Sequence, residues 1–148
     1  MKILVINGPN MQLLGRRKAE FYGTKTLPEI EADLRAVADS LGVTVDFFQS
    51  NHEGAICDKI ADAIAGGVDG IVINPAAYTH TSVAILDALK AVSLPAVEVH
   101  ISNIHQREEF RRTSVTAAGC DGQISGLGHF GYVAAMGYLI EKLSDHAG

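Results

Sequence analysis

The sequence predicts an α/β fold, a five-stranded parallel sheet with helices on both faces, and three observations carry that reading. Short apolar, β-branched runs recur without the polar alternation of a half-exposed strand, as in Ile71-Val72-Ile73. Each run is followed by a segment whose apolar residues fall at helical spacing. The stretch from Ile71 to Leu89 combines both. It holds a strand, a break at Asn74-Pro75, a polar turn Ala77-Tyr78-Thr79-His80, and a helix capped by Thr81 or Ser82. In an open sheet of this kind ligands sit in the loops beyond the strands' carboxyl ends, which puts Asn74, Tyr78 and His80 in position for chemistry.

Taken in order, residues 2–7 form the first strand and 8–25 a long loop. Leu27 to Leu41 read as an amphipathic helix with Ile30, Leu34, Val37, Ala38 and Leu41 on one face. Residues 43–48 are the second strand, followed by the loop Gln49-Ser50-Asn51-His52-Glu53-Gly54. Ala55 to Ala65 are helical, with Ile56, Ile60 and Ile64 at i, i+4 spacing. Residues 68–73 are the third strand and 81–92 its helix. Ala96 to Val99 form the fourth strand, 100–121 are irregular with a short helical piece near Arg107–Arg111, and 122–125 form the fifth. Gly131 to Leu143 make the closing helix. Right-handed crossovers then give a flavodoxin-like order of 2-1-3-4-5. No repeat, low-complexity tract or linker divides the chain, so residues 1–148 read as a single catalytic domain.

Composition narrows the function classes. A chain of 148 residues, 47% hydrophobic, supports one full core. No apolar run approaches the length of a membrane span, and Met1 to Ile6 reads as a strand stopped by Asn7-Gly8-Pro9 rather than a signal peptide. Cys57 and Cys120 fit no disulfide or metal framework, so a reducing, cytoplasmic setting is expected. The net charge is −5, and the basic clusters are only Arg16-Arg17-Lys18 and Arg111-Arg112. That argues against a nucleic-acid partner and suits a small anionic substrate.

The strand ends converge. Strand one ends at Asn7, strand two at Ser50-Asn51-His52, strand three at Asn74 and strand four at His100. Each is a side chain that makes directed hydrogen bonds, and any one alone reads as a turn cap. Four in register at one rim read as a pocket. The long loop 8–25 adds Arg16, Arg17 and Tyr22, flanked by Gly15 and Gly23 as candidate hinges. A guanidinium close to a tyrosine hydroxyl favours the phenolate, the form that acts as a general base. The plain alternative packs the Tyr22 ring on the body and leaves the arginines in water.

These residues fall in blocks that resemble a known family. Gly8-Pro9-Asn10, Leu13-Leu14-Gly15, Arg17, Tyr22-Gly23, Gln49 to Gly54, Asn74-Pro75, Ala77 to Ala84, Glu98 to His105, Arg107-Glu108, Phe110-Arg111, Gly126 and Gly131-Tyr132 run in the order of a type II 3-dehydroquinate dehydratase. The resemblance covers nearly the whole chain. It implies the reversible dehydration of 3-dehydroquinate to 3-dehydroshikimate through an enolate, in the shikimate pathway or in quinate breakdown.

By that resemblance Tyr22 is the general base, Arg17 stabilises the transition state, and His100 is the general acid. Asn74, together with Ile101 and Ser102 through their backbone N–H groups, would hold the substrate carboxylate. His80, Asp87 and Arg111 would meet the ring hydroxyls, with Asp87 reaching the pocket of a neighbouring subunit. His52 and Glu53 would support the site from behind, Glu53 helping to fix a histidine's orientation. The family assembles trimers into dodecamers, so a homododecamer is expected, with neither metal nor cofactor.

Three departures stand out. Gln12 replaces an asparagine that helps to hold the water stabilising the enolate, so activity is expected to persist at an altered rate. Lys18-Ala19 replaces Glu-Pro, which loosens the loop. Ala76 replaces a glycine, and its Cβ argues against a positive φ there.

Other chemistries fit less well. Gly126-Leu127-Gly128-His129-Phe130-Gly131 matches the dinucleotide fingerprint, yet the seventeen residues after Gly131 leave no room for the second strand and its acid. It reads as a structural glycine set leading into the last helix. A flavin-binding module needs a phosphate cradle after strand one, where Gly8-Pro9-Asn10 runs into apolar residues. His100 and His105 lack a carboxylate at a metal-supporting spacing. No lysine falls at a strand's carboxyl end, which argues against a Schiff base.

Overall fold

The computed structural model describes residues 1–146. Its five strands are β1 (Lys2–Asn7), β2 (Thr44–Gln49), β3 (Gly70–Asn74), β4 (Ala96–His100) and β5 (Gly122–Ser125). All pair in parallel in the order β2-β1-β3-β4-β5, the flavodoxin-like order expected from the sequence. The helices are α1 (Ala19–Tyr22), α2 (Leu27–Ser40), α3 (Glu53–Asp62), α4 (Val83–Val92) and α5 (Phe130–Asp145).

Alternation along the strands builds two cores. Ile3, Val5, Val72, Val97 and Val99 pack with α2 and α5, while Leu4, Ile6, Ile71 and Ile73 pack with α3 and α4. Every residue of β3 and β4 is buried, which accounts for their largely apolar character, broken only by Glu98 inside β4 and by the polar ends Asn74 and His100. Burying each such side chain stabilises the fold by about 1.5–3 kcal/mol.

Local chemistry sets the helix ends. Thr26 and Glu29 form a reciprocal capping box at the start of α2, with Pro28 in its first turn. Ser82, not Thr81, caps α4, its Oγ accepting from the Ile85 N–H at 3.0 Å. Helix α3 starts two residues earlier than its apolar spacing suggests and stops at Asp62. Gly67, at φ +67°, turns the chain back, and the Val68 N–H donates to the Ala63 carbonyl. Ile64 is therefore carried off the core face and is 59% exposed, contrary to the i, i+4 expectation.

The first part of the long loop is anchored in the core. Met11, which opens a 3-10 turn at Met11–Leu13, and Leu14, which follows it, are buried in the α2/α5 core. Helix α1 follows, with Ala19 at its first position, a place where proline is also tolerated. Gly8 brings this loop against the third strand's loop, since a Cβ there would lie 2.4 Å from the Pro75 carbonyl oxygen. The segment 100–121 resolves into 3-10 turns at Ile104–Gln106, Glu109–Arg111 and Thr116–Gly119.

Ala76 corrects one expectation. It sits at φ +52° despite its Cβ. Its N–H donates to Asn74 Oδ1 at 3.1 Å, and this bond helps hold the residue in a region most side chains avoid.

Candidate active site

A cleft opens at the carboxyl ends of β1, β3 and β4. Register explains its position, because Asn7 stands opposite Asn74, and His100 opposite Ser125, at the ends of their ladders. Arg17, Arg107, Arg111, His80 and His100 line it, and no carboxylate among the described residues does. Such a lining favours an anionic ligand.

Tyr22 stands on one wall, at the end of α1. Its phenol oxygen accepts from Arg17 Nη2 at 2.9 Å and from Arg107 Nη1 at 2.6 Å. The Arg17 guanidinium also lies 3.9 Å from the ring centroid. Arg107 reaches Ser102 Oγ at 3.3 Å and stacks near Phe21, 4.6 Å from its centroid. Two guanidinium donors on one oxygen stabilise negative charge there. Arg107 Nε is buried and has no hydrogen-bond partner among the described residues.

His100 forms another wall at the end of β4. Its Nε2 lies 2.9 Å from Oε2 of Glu98, a carboxylate that is wholly buried. Ser114 Oγ at 2.8 Å and Gln123 Nε2 at 2.6 Å donate to the same oxygen, and Thr116 Oγ1 donates to the other. Burial pushes the Glu98 carboxyl up, but the hydrogen bonds from His100, Thr116 and Gln123 outweigh it and hold the group below the usual carboxylate range. An ionised Glu98 accepts, so His100 Nε2 donates and Nδ1 is left for a ligand. His80 is held the same way, its Nδ1 donating to the Thr113 carbonyl at 2.8 Å.

The structure brings Arg17, Tyr22, Asn74, His80, His100, Ile101, Ser102 and Arg111 around one cleft. Gln12 is not among them. Its side chain is exposed, and its Oε1 accepts from Gln49 Nε2 at 3.1 Å, outside the cleft. Asn10 lines the cleft instead, because its left-handed backbone at φ +66° turns the loop just there. His52 and Glu53 do not line the cleft either. His52 is exposed at the start of α3, and it is Glu98 that orients a histidine. Asp87 is exposed on α4, away from its own chain's cleft.

Arg107, Glu98 and Asn10 have no role that their sequence positions alone reveal. All lie within the resembling blocks, but Arg107 sits in an irregular segment and Glu98 inside a strand, where spacing gives no sign of a shared partner.

The glycine fingerprint is structural. Gly126 and Gly128 adopt φ +90° and +61°, and a Cβ on Gly126 would meet Asn103 at 2.8 Å.

The family model "Dehydroquinase class II" matches residues 1–140. The chain belongs to this family. A relative from Bacillus cereus (strain AH187), a 3-dehydroquinate dehydratase, is 53% identical over 144 residues, which is 97% of this chain and 98% of the relative. The crystal structure of type II dehydroquinase from Butyrivibrio crossotus DSM 2876 superposes with a TM-score of 0.93 at 52% identity, covering 94% of this chain and 97% of that one. That from Propionibacterium acnes gives 0.89 at 44% identity, covering 93% and 94%. No helix among the described residues is long and apolar enough to cross a membrane.

Proposed function

We propose that this chain, working as one catalytic domain, converts 3-dehydroquinate reversibly to 3-dehydroshikimate and water. The observation that carries the reading is the Tyr22 oxygen held between Arg17 and Arg107 in the same cleft as the His100–Glu98 pair.

The chemistry needs a base, a stabilised enolate and an acid. Tyr22, as phenolate, takes the proton from the carbon beside the ketone. The electron pair moves onto the ketone oxygen to give an enolate. It then returns to form the ring double bond and expels the hydroxyl from the neighbouring carbon. His100 protonates that hydroxyl, which leaves as water. Arg17 and Arg107 hold the negative charge on the phenolate before the transfer. Asn74, with the backbone N–H groups of Ile101 and Ser102, holds the substrate carboxylate. His80 and Arg111 meet the ring hydroxyls. Asn10 lines the cleft and Gln12 does not, so we give Asn10 the enolate-facing part.

A homododecamer, a tetramer of trimers, fits two features of the single chain. Arg107 Nε is buried without a partner among the described residues, and Asp87 is exposed on α4. Asp87 of a neighbouring copy completes the cleft in this reading. The enzyme would work in the cytoplasm, in the shikimate pathway or in quinate breakdown.

The test is to mix purified protein with 3-dehydroquinate and chelator, without added nucleotide, and follow the ultraviolet absorbance of the conjugated enone. A rise is expected. A flat trace from folded, oligomeric protein would overturn the reading, and a substrate adduct trapped by borohydride would overturn the enolate route.

A further inference from the structure

Tyr132 is almost wholly buried, at 1% exposure, in the first turn of α5. Gly131 before it lets that turn close on the sheet, where a Cβ would lie 3.1 Å from Val99 Cγ1. The Tyr132 side chain thereby reaches the carboxyl ends of β1 and β3. Its hydroxyl donates to Asn7 Oδ1 at 2.5 Å and accepts from Asn74 Nδ2 at 3.0 Å.

A hydroxyl has one proton, and here Asn7 takes it. The lone pairs that remain require a donor from Asn74, which must turn its Nδ2 toward them. At the other end of the same amide, Asn74 Oδ1 accepts the Ala76 N–H at 3.1 Å. Turning the amide over would set oxygen against lone pairs and N–H against N–H at once. Burial also pushes the Tyr132 hydroxyl well above the ordinary tyrosine range, so its proton stays in place. The second Nδ2 hydrogen of Asn74 meets only Met11 Sδ, at 3.8 Å, a weak acceptor that a ligand readily replaces.

We propose that Tyr132 is a positioning residue, which fixes the Asn74 side chain with its N–H toward the cleft and so selects a carboxylate there. The proposal rests on Asn74 holding the substrate carboxylate. It extends that reading to a residue on another element that never touches the ligand.

The experiment compares wild type with Tyr132→Phe, which keeps the ring and removes the hydroxyl. Binding of 3-dehydroshikimate and of its carboxamide is measured for both proteins, with kcat and KM for 3-dehydroquinate. Wild type should prefer the carboxylate. In Tyr132→Phe that preference should fall about tenfold, the loss of one hydrogen bond to a charged group, with KM rising more than kcat falls. If Tyr132→Phe binds both ligands more weakly but keeps the preference, the tyrosine is only structural and the proposal fails. If wild type shows no preference, the carboxylate assignment of Asn74 fails, and the role of Tyr132 falls with it. Should Tyr132→Phe not fold, Asn7→Leu gives the same answer. It frees the Tyr132 proton to turn on Asn74, so the preference must again fall, and its retention would overturn the proposal.

Discussion

Arg107 Nη1 lies 2.6 Å from the Tyr22 oxygen, although the two residues are 85 positions apart in the chain. One comes from the loop after β1 and the other from the irregular segment after β4. A base built from such distant parts makes each guanidinium separately testable. Arg107→Leu should lower kcat about 100-fold, the scale of losing one preorganised charge contact, and Tyr22→Phe should nearly abolish turnover while leaving substrate binding. Steady-state kinetics with a direct binding measurement checks both. Near-normal kcat in Arg107→Leu would mean that Arg17 alone serves the base.

Asn10 and Gln12 should behave oppositely, though they are two residues apart. Asn10 lines the cleft, whereas Gln12 braces Gln49 outside it. Asn10→Ala should lower kcat by at least about tenfold, and Gln12→Ala by less than about threefold. The reverse order would return the enolate to Gln12.

Glu98 links stability to pH. Its carboxyl lies below the ordinary 4.5 in the folded chain, because the bonds from His100, Thr116 and Gln123 overcome the opposing effect of burial. A carboxylate depressed by folding contributes its stability above the unfolded value and loses it as pH falls through the folded one. The melting temperature of wild type should therefore fall as pH drops below 4.5. Glu98→Gln should be less stable at neutral pH, since its amide meets Ser114 and Gln123 donors, yet show a shallower acid slope. Equal slopes would remove Glu98 from the acid transition.

Ala76 is a site for gain. Its φ of +52° costs an L-residue with a Cβ about 1 kcal/mol that glycine does not incur. Ala76→Gly should raise the melting temperature by roughly 2–4 °C in a domain of this size. A lower melting temperature would mean that the freedom glycine adds to the unfolded chain outweighs the relief.

The sheet order was legible because it depends on period. Apolar runs of strand length and helical repeats name their elements, and right-handed crossovers leave few ways to connect them. The rim residues Asn74 and His100 were legible for a related reason, since each directly ends a strand. What escaped depends on contact at a distance. Ile64 has the right spacing for a core face, yet the helix ends two residues before it. Glu98 looks like a charge misplaced in an apolar strand until Ser114, Thr116 and Gln123 are folded around it. Gln12 and Asn10 have interchangeable chemistry as letters. Only the left-handed turn at Asn10 decides which of them faces the cleft.

Tyr132 also has a consequence in time. Its hydroxyl ties the ends of β1 and β3 from α5, the last of the described helices. During synthesis both strands leave the ribosome long before α5 does, and domains complete as units. Asn7 and Asn74 therefore wait, unlocked, for a residue made well after both. A nascent chain stalled before α5 would carry all five strands and still lack a finished cleft, so competence arrives only with α5.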